Sequence, residues 1–259
     1  MKNIIKSLCY EAFRSKALIR ITVLYTLVAG LITVLNINED KGFSGTSGML
    51  AENPDITYLL GILFVGVIIG FLTGQDFGDK VINYEMMSGH SRKSIMLARG
   101  VFGAVVTAAV LTLISFVPML VGNIMSEWGD SLRLSDVVVR QLLFFFPFLR
   151  LSAFIICIMF IFKNQYVVMA SGYFLIMFVN LVKAFPKSFY SSFSNLELLT
   201  SYKGWHIYNI DPAEGIVEYS SFNSNLDFRM VFGTITVSII MTAFYLMLAY
   251  AVFRHDDVS

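Results

Sequence analysis

The sequence predicts an all-α membrane protein: six transmembrane helices, an N-terminal interfacial amphipathic helix, one short cytoplasmic helix and a structured external segment before the last span. Three observations carry that expectation. The 259 residues are 56% hydrophobic and 14% charged, with a mean hydropathy of +0.71, whereas soluble domains carry about 25% charged residues. Six apolar stretches reach the roughly 20 residues that a helix needs to cross a bilayer. Most charges fall between those stretches, as they must when one charge at the bilayer centre costs roughly 2.5–3.5 kcal/mol.

The chain reads as a single transmembrane domain over residues 1–259. Residues 1–16 place Ile4, Ile5, Leu8, Cys9, Ala12 and Phe13 at helical spacing, with Lys2, Lys6, Arg14 and Lys16 between them. A basic amphipathic helix of this kind lies on the membrane interface, and its charges also act as a topological anchor. The apolar run after Arg20 ends in Leu35-Asn36-Ile37-Asn38 without a small-x-small cleavage pattern, so it reads as a retained span and not as a signal peptide. The spans are expected at 17–37, 56–74, 96–122, 137–162, 165–183 and 230–253. The third and fourth are long enough to tilt, kink or run past the bilayer. Only Lys163-Asn164-Gln165 joins the fourth to the fifth, which makes those two antiparallel neighbours.

Orientation follows from Lys and Arg. The side holding the N-terminus, the segment Gln75–Arg99, the Lys163 turn and the C-terminus carries eleven basic residues against six acids; the other side carries seven against twelve. The first side is therefore expected to be cytoplasmic, with both termini inside a multi-pass protein of the cytoplasmic membrane. Outside, residues 38–55 are rich in Gly and Ser and read as loose. Residues 184–229 are rich in Phe, Tyr and Trp. A loop of that length is rarely structureless, and its aromatics predict short helices dipping into the outer interface.

Several chemistries find no support. No G-x-x-x-x-G-K-[ST] loop and no Gly-Lys dipeptide occur, so this polypeptide is expected to hold no nucleotide, no cofactor of its own and no catalytic residues. There is no H-E-x-x-H, and His90, His206 and His255 are scattered, which argues against a metal site. Cys9 and Cys157 make no disulfide framework. A net charge of +1 points to no nucleic-acid partner. Gly45-Thr46-Ser47-Gly48 has the form of an intramembrane serine protease motif, but no span contains a His to act as base.

Two features inside the spans stand out. Gly66, Gly70 and Gly74 form a small-residue ridge for helix packing, against another copy or another helix of the same chain. Arg150 is the one charge deep in a span, 13 residues after Val137 and 12 before Phe162. It either lines a translocation path, with Tyr173 and Asn180 as candidate neighbours, or is a structural Arg bonded within the bundle.

The most informative stretch is Gln75–Arg99, which places charges of both signs between two long apolar runs. Within it, Asp76-Phe77-Gly78-Asp79-Lys80-Val81-Ile82-Asn83-Tyr84-Glu85-Met86-Met87-Ser88-Gly89-His90-Ser91-Arg92 resembles the cytoplasmic segment of the type-2 ABC exporter permeases: an aromatic, a short helix rising through an apolar pair, a small residue, then Ser-Arg before the third span. The layout of the whole chain is similar to that family, with His90 standing where many members have Pro. The resemblance implies a membrane subunit that docks a soluble ABC ATPase through a coupling helix at 75–94 and pairs with a second permease chain, identical or homologous, in membrane lipid. ATP and Mg would belong to the partner ATPase. Val81, Ile82, Tyr84, Met86 and Met87 would supply apolar contact, with Glu85 and Arg92 orienting the helix at its rim. The implied cargo is a peptide, an antibiotic or a lipid-like molecule. Two other classes use the same residues: a non-transporting scaffold that recruits a cytoplasmic protein through this segment, and an ATP-independent carrier, which the lack of acidic residues deep in the spans weakens.

Overall fold

A computed structural model describes residues 2–38, 45–52, 55–78, 81–130, 133–183, 206–211, 215–222 and 228–255. Helices occupy every expected span range: α2 (Lys16–Asn38); α4 (Asp55–Ile69), continued by a π-helical turn over Gly70–Gly74 and by α5 (Gln75–Gly78); α7 (Arg92–Ser115) with α8 (Val117–Met125); α9 (Leu134–Leu143) with α10 (Phe145–Phe162); α11 (Gln165–Lys183); and α12 (Phe228–His255). Shorter elements are α1 (Lys2–Arg14), α3 (Gly45–Glu52), α6 (Val81–Met87) and the strands β1 (His206–Asp211) and β2 (Gly215–Phe222). Among the described residues four stretches are long and apolar enough to cross a membrane: Lys16–Ile37, Arg92–Met125, Leu134–Phe162 and Val231–Arg254. A fifth arises if Gly61–Phe77 and Val81–Met87, bent by 50°, count as one. The chain is thus a helical, membrane-embedded protein.

The third and fourth ranges are both broken. α7 gives way to α8 at Phe116, ahead of Pro118, and α9 to α10 at Phe144, ahead of Pro147. A proline inside a helix has no N–H to donate and its ring crowds the carbonyl four residues back, which places each break within the turn before it.

α10 is the centre of the bundle. Phe148, Ile155, Ile156, Met159 and Phe160 are completely buried. α12 runs parallel to it, with Phe154 against Tyr245 and Phe160 against Phe253, each pair of rings 5.2 Å apart. α7 lies across both, so closely at Gly100 that a Cβ there would sit 3.1 Å from Leu246 and 3.8 Å from Ile156. α2 joins through Tyr25, buried and stacked on Phe64 at 4.4 Å.

The glycine ridge packs within this chain. A Cβ on Gly66 would meet the Val168 carbonyl oxygen at 2.5 Å, one on Gly70 the Met169 side chain at 2.6 Å, and one on Gly74 the Gln165 Cα at 3.3 Å. Gly172 answers from the other side, 2.3 Å from the Ile62 carbonyl oxygen by the same construction. Lipid supplies no hydrophobic drive between helices, so close backbone approach is what holds α4 to α11. α11 accordingly lies mainly along α4 and touches α10, its neighbour in sequence, less. Their short turn forms with Lys163 in the left-handed region and Asn164 Oδ1 accepting from the Tyr166 N–H at 2.9 Å.

The external segments depart from expectation. Residues 45–52, read as loose, form α3. Its Thr46 and Ser47 are fully buried, and their N–H groups donate to Glu127 and Trp128 carbonyls at 2.9 and 2.7 Å. Gly45 at φ 82° and Gly122 beneath Thr46 make this approach possible, since a Cβ on either would lie 2.5 Å from its neighbour. Glycine here shapes a docked helix instead of loosening a loop. Within 184–229, where helices were expected, the described part is an antiparallel hairpin of β1 and β2. β-branched Ile210, Ile216 and Val217 with Tyr208 and Tyr219 are residue types that favour strands. Residues 184–205 lie outside the described residues.

Candidate functional site

The Gln75–Arg99 segment folds as two short helices and a turn. α6 ends in a reversal at Gly89, whose φ is 89°. The Gly89 N–H donates to the Met86 carbonyl at 3.0 Å and the His90 N–H to the Glu85 carbonyl at 3.2 Å, so glycine supplies the left-handed residue that closes the helix. Ser91 then caps α7, its Oγ accepting from the Ser94 N–H at 3.2 Å. The helix is shorter than 80–91, because the chain turns at Ser88-Gly89.

α6 has two sides. Ile82 is buried in the main core and Met86 packs partly against it, while Val81 is half-buried. Tyr84 and Met87 face away, 69% and 83% exposed. The apolar residues expected to form one docking face are therefore divided between the protein's own core and its surface.

The charged residues expected at the rim are engaged inside the chain. Arg99 is 1% exposed and Asp76 5% exposed, so neither stands in water as expected of an aqueous connection. Arg99 donates from Nη2 to Glu85 Oε1 at 2.8 Å and from Nε to Oε2 at 3.2 Å, and pairs with Asp76 through Nη1. This planar fork of donors suits a carboxylate held bidentate. Partial burial, and then the nearby Glu11 of α1, push the Glu85 carboxyl above its ordinary value, a cost that the two bonds from Arg99 offset. Arg92 reaches the end of α12, donating to the Arg254 carbonyl at 3.1 Å and lying 3.5 Å from that of Phe253. Such cations complement the exposed carbonyls of a helix C-terminus. α6 is thereby fixed to α7 directly, and the start of α7 to the end of α12. Spacing alone did not reveal the Asp76–Arg99–Glu85 group; the available signal was the placement of Asp76 and Arg99 at the inner ends of two apolar runs.

α1 lies against α7, burying Ile4, Leu8 and Ala12. Its Tyr10 and Phe13 are 65% and 87% exposed, with Arg14 over the Tyr10 ring at 5.7 Å.

Arg150 is half-buried on α10, one turn before Phe154, whose ring meets Tyr245 of α12. Tyr173 is 59% exposed and packs on Phe174; no described contact brings it to Arg150. Asn180 lies outside the residues whose side chains are described. Arg140, in α9, is also buried, at 2% exposure, so Arg150 is not the only buried cation of that range. Among the described residues, no group of three or more His, Cys, Asp or Glu stands together as a metal site.

No family model matches the chain, and no curated protein matches it.

Proposed function

We propose that this chain is the membrane-spanning subunit of an ATP-driven exporter, with six spans, both termini cytoplasmic, and an ATPase on a separate chain. α6 is the coupling helix of that complex. The observation that carries the reading is the two-sidedness of α6: an exposed aromatic and thioether, Tyr84 and Met87, on a helix clamped from behind through Glu85 to the fully buried Arg99. A handle for a soluble motor needs an exposed grip and a rigid root, and here the root is a span. Tyr is enriched at binding hot spots. Ile82 and Met86 belong to the root, Tyr84 and Met87 to the grip. Glu85 and Arg92 transmit force and do not meet the partner. A second permease chain completes the pathway, and a peptide, antibiotic or lipid-like cargo remains the proposed substrate class.

The test is site-directed cross-linking. Met87→Cys, in a Cys9→Ser, Cys157→Ala background, is co-expressed with a candidate phosphate-loop ATPase from the same genome and treated with a short bifunctional thiol reagent. A specific heterodimer band at Met87→Cys and none at Ile82→Cys supports the reading. Equal bands at both, or at neither, contradict it.

A further inference from the structure

Buried hydroxyls on α7, α10 and α12 lie within about two helical turns of the level of Arg150. Several Ser and Thr within the spans bond to a carbonyl one turn back: Thr22, Thr26, Thr33, Thr73 and Thr112 all donate to the i−4 carbonyl at 2.7–3.1 Å. That is the ordinary way for a hydroxyl to be satisfied within a helix. Thr107, Ser152, Ser238 and Thr242 depart from it. Each side-chain oxygen is buried with no hydrogen-bond partner, and so is Arg150 Nη1. Thr107 and Ser152 are fully buried and Ser238 is 1% exposed.

These residues share one level of the bundle. Gly100, Ile156 and Leu246 meet at a single point. Arg92 contacts Phe253 and Arg254, so α7 runs antiparallel to α12, while α10 and α12 run parallel. At 1.5 Å per residue, Thr107 lies about 10 Å from that point along α7, Ser152 and Arg150 about 6 and 9 Å along α10, and Thr242 and Ser238 about 6 and 12 Å along α12, all towards the same end. Thr107 follows Gly100 by seven residues, and Ser152 and Thr242 precede Ile156 and Leu246 by four, which keeps them on the facing sides; Arg150, four residues before Phe154, lies on the face of α10 that meets Tyr245 of α12. Arg150 and Thr242 are only half-buried, so the layer opens at the Arg150 edge.

Unsatisfied polar groups buried together are costly, about 1–3 kcal/mol each, unless a ligand or water meets them. We infer that this layer is a binding site for an anionic, oxygen-rich group, a carboxylate or a phosphate, with Arg150 as its cation and Ser238 and Thr242, on the facing side of α12, as neutral donors. No carboxylate lies deep in these three helices to compete. The group is the polar end of an amphiphile, supplied either by transported cargo or by a phospholipid headgroup. Its assignment to cargo rests on the permease reading; its chemistry does not.

The experiment is a binding titration of the purified full chain in a neutral detergent, using octyl phosphate as probe and octyltrimethylammonium as control, read by thermal unfolding. The expected result is a saturable stabilisation by octyl phosphate alone. Arg150→Gln weakens it at least about tenfold, the scale of one charge-assisted hydrogen bond. Arg150→Lys retains part of it. Ser238→Ala/Thr242→Val keeps the charge and weakens binding less, which provides a readout if Arg150→Gln does not fold. Equal stabilisation by the cationic probe, or unchanged octyl phosphate affinity in these variants, overturns the proposal. Competition by phosphatidylglycerol in nanodiscs assigns the site to a lipid headgroup; its failure to compete assigns it to cargo. No ATPase enters this measurement, so its failure is separate from failure of the coupling reading.

Discussion

Substituting Arg99 by Met should separate a structural latch from an incidental ion pair. Arg99 is 1% exposed, forms two hydrogen bonds to Glu85 and pairs with Asp76, itself 5% exposed. Arg99→Met leaves two carboxylates without their cation in a low-dielectric setting. Removing one partner of such a group costs about 3–5 kcal/mol. The neutral triple variant Asp76→Asn/Glu85→Gln/Arg99→Met strands no charge and loses only hydrogen bonds, about 1 kcal/mol each. The assay is thermal unfolding of the detergent-purified chain, together with trypsin cleavage at Lys80 and Lys93. The single variant should melt far lower and be cut faster than wild type, and the triple should recover more than half of both losses, a strongly non-additive result. A single variant within about 0.5 kcal/mol of wild type, the range of ordinary surface changes, would refute the latch. So would a triple that is worse than the single.

The remaining predictions concern packing and docking. Along the α4–α11 seam, Gly66→Ala should be more damaging than Gly74→Ala, because its Cβ meets a backbone oxygen at 2.5 Å while that of Gly74 has 3.3 Å; overpacking of this kind costs about 1–3 kcal/mol, and melting temperatures in one detergent rank the two. Gly122→Val should push α3 off its seat at Thr46, so that Ser47→Cys, shielded in the parent, reacts with a membrane-impermeant maleimide; a Cys that stays unreactive counts against this docking. Tyr84→Ala should leave thermal stability within about 0.5 kcal/mol, as for surface positions generally, since the side chain is 69% exposed. A large loss would mean that Tyr84 serves the fold.

Hydropathy located helices in all six ranges because each is long and predominantly apolar, and the amphipathic start was equally plain in the spacing of Ile4, Leu8 and Ala12. Positions within the bundle were harder. That Arg99 turns inward depends on Asp76 and Glu85 coming from two other helices, a tertiary fact with no periodic signature. Glu85 and Arg92 looked like rim charges because spacing along one helix cannot show what faces it. α3 was misread because glycines that permit close approach look, in sequence, like glycines that loosen a loop. For the hairpin, the apolar positions of the two strands are few and short, bounded by Asp211 and Gly215, and did not stand out against a helix reading. The hydroxyls about Arg150 are ordinary membrane Ser and Thr until the three helices are brought to one level.

The central claim is that α6 carries a soluble ATPase, and its most direct test is the double variant Tyr84→Asp/Met87→Asp. Both side chains are exposed, so two carboxylates there leave the bundle intact while disrupting an apolar contact. The chain is co-expressed with a candidate phosphate-loop ATPase from the same genome, and the ATPase retained per membrane subunit is measured after detergent extraction. The account predicts a stable complex for the parent chain and loss of most of the ATPase for the double variant, with unchanged membrane insertion and thermal stability. Full retention of the ATPase by the double variant would contradict it.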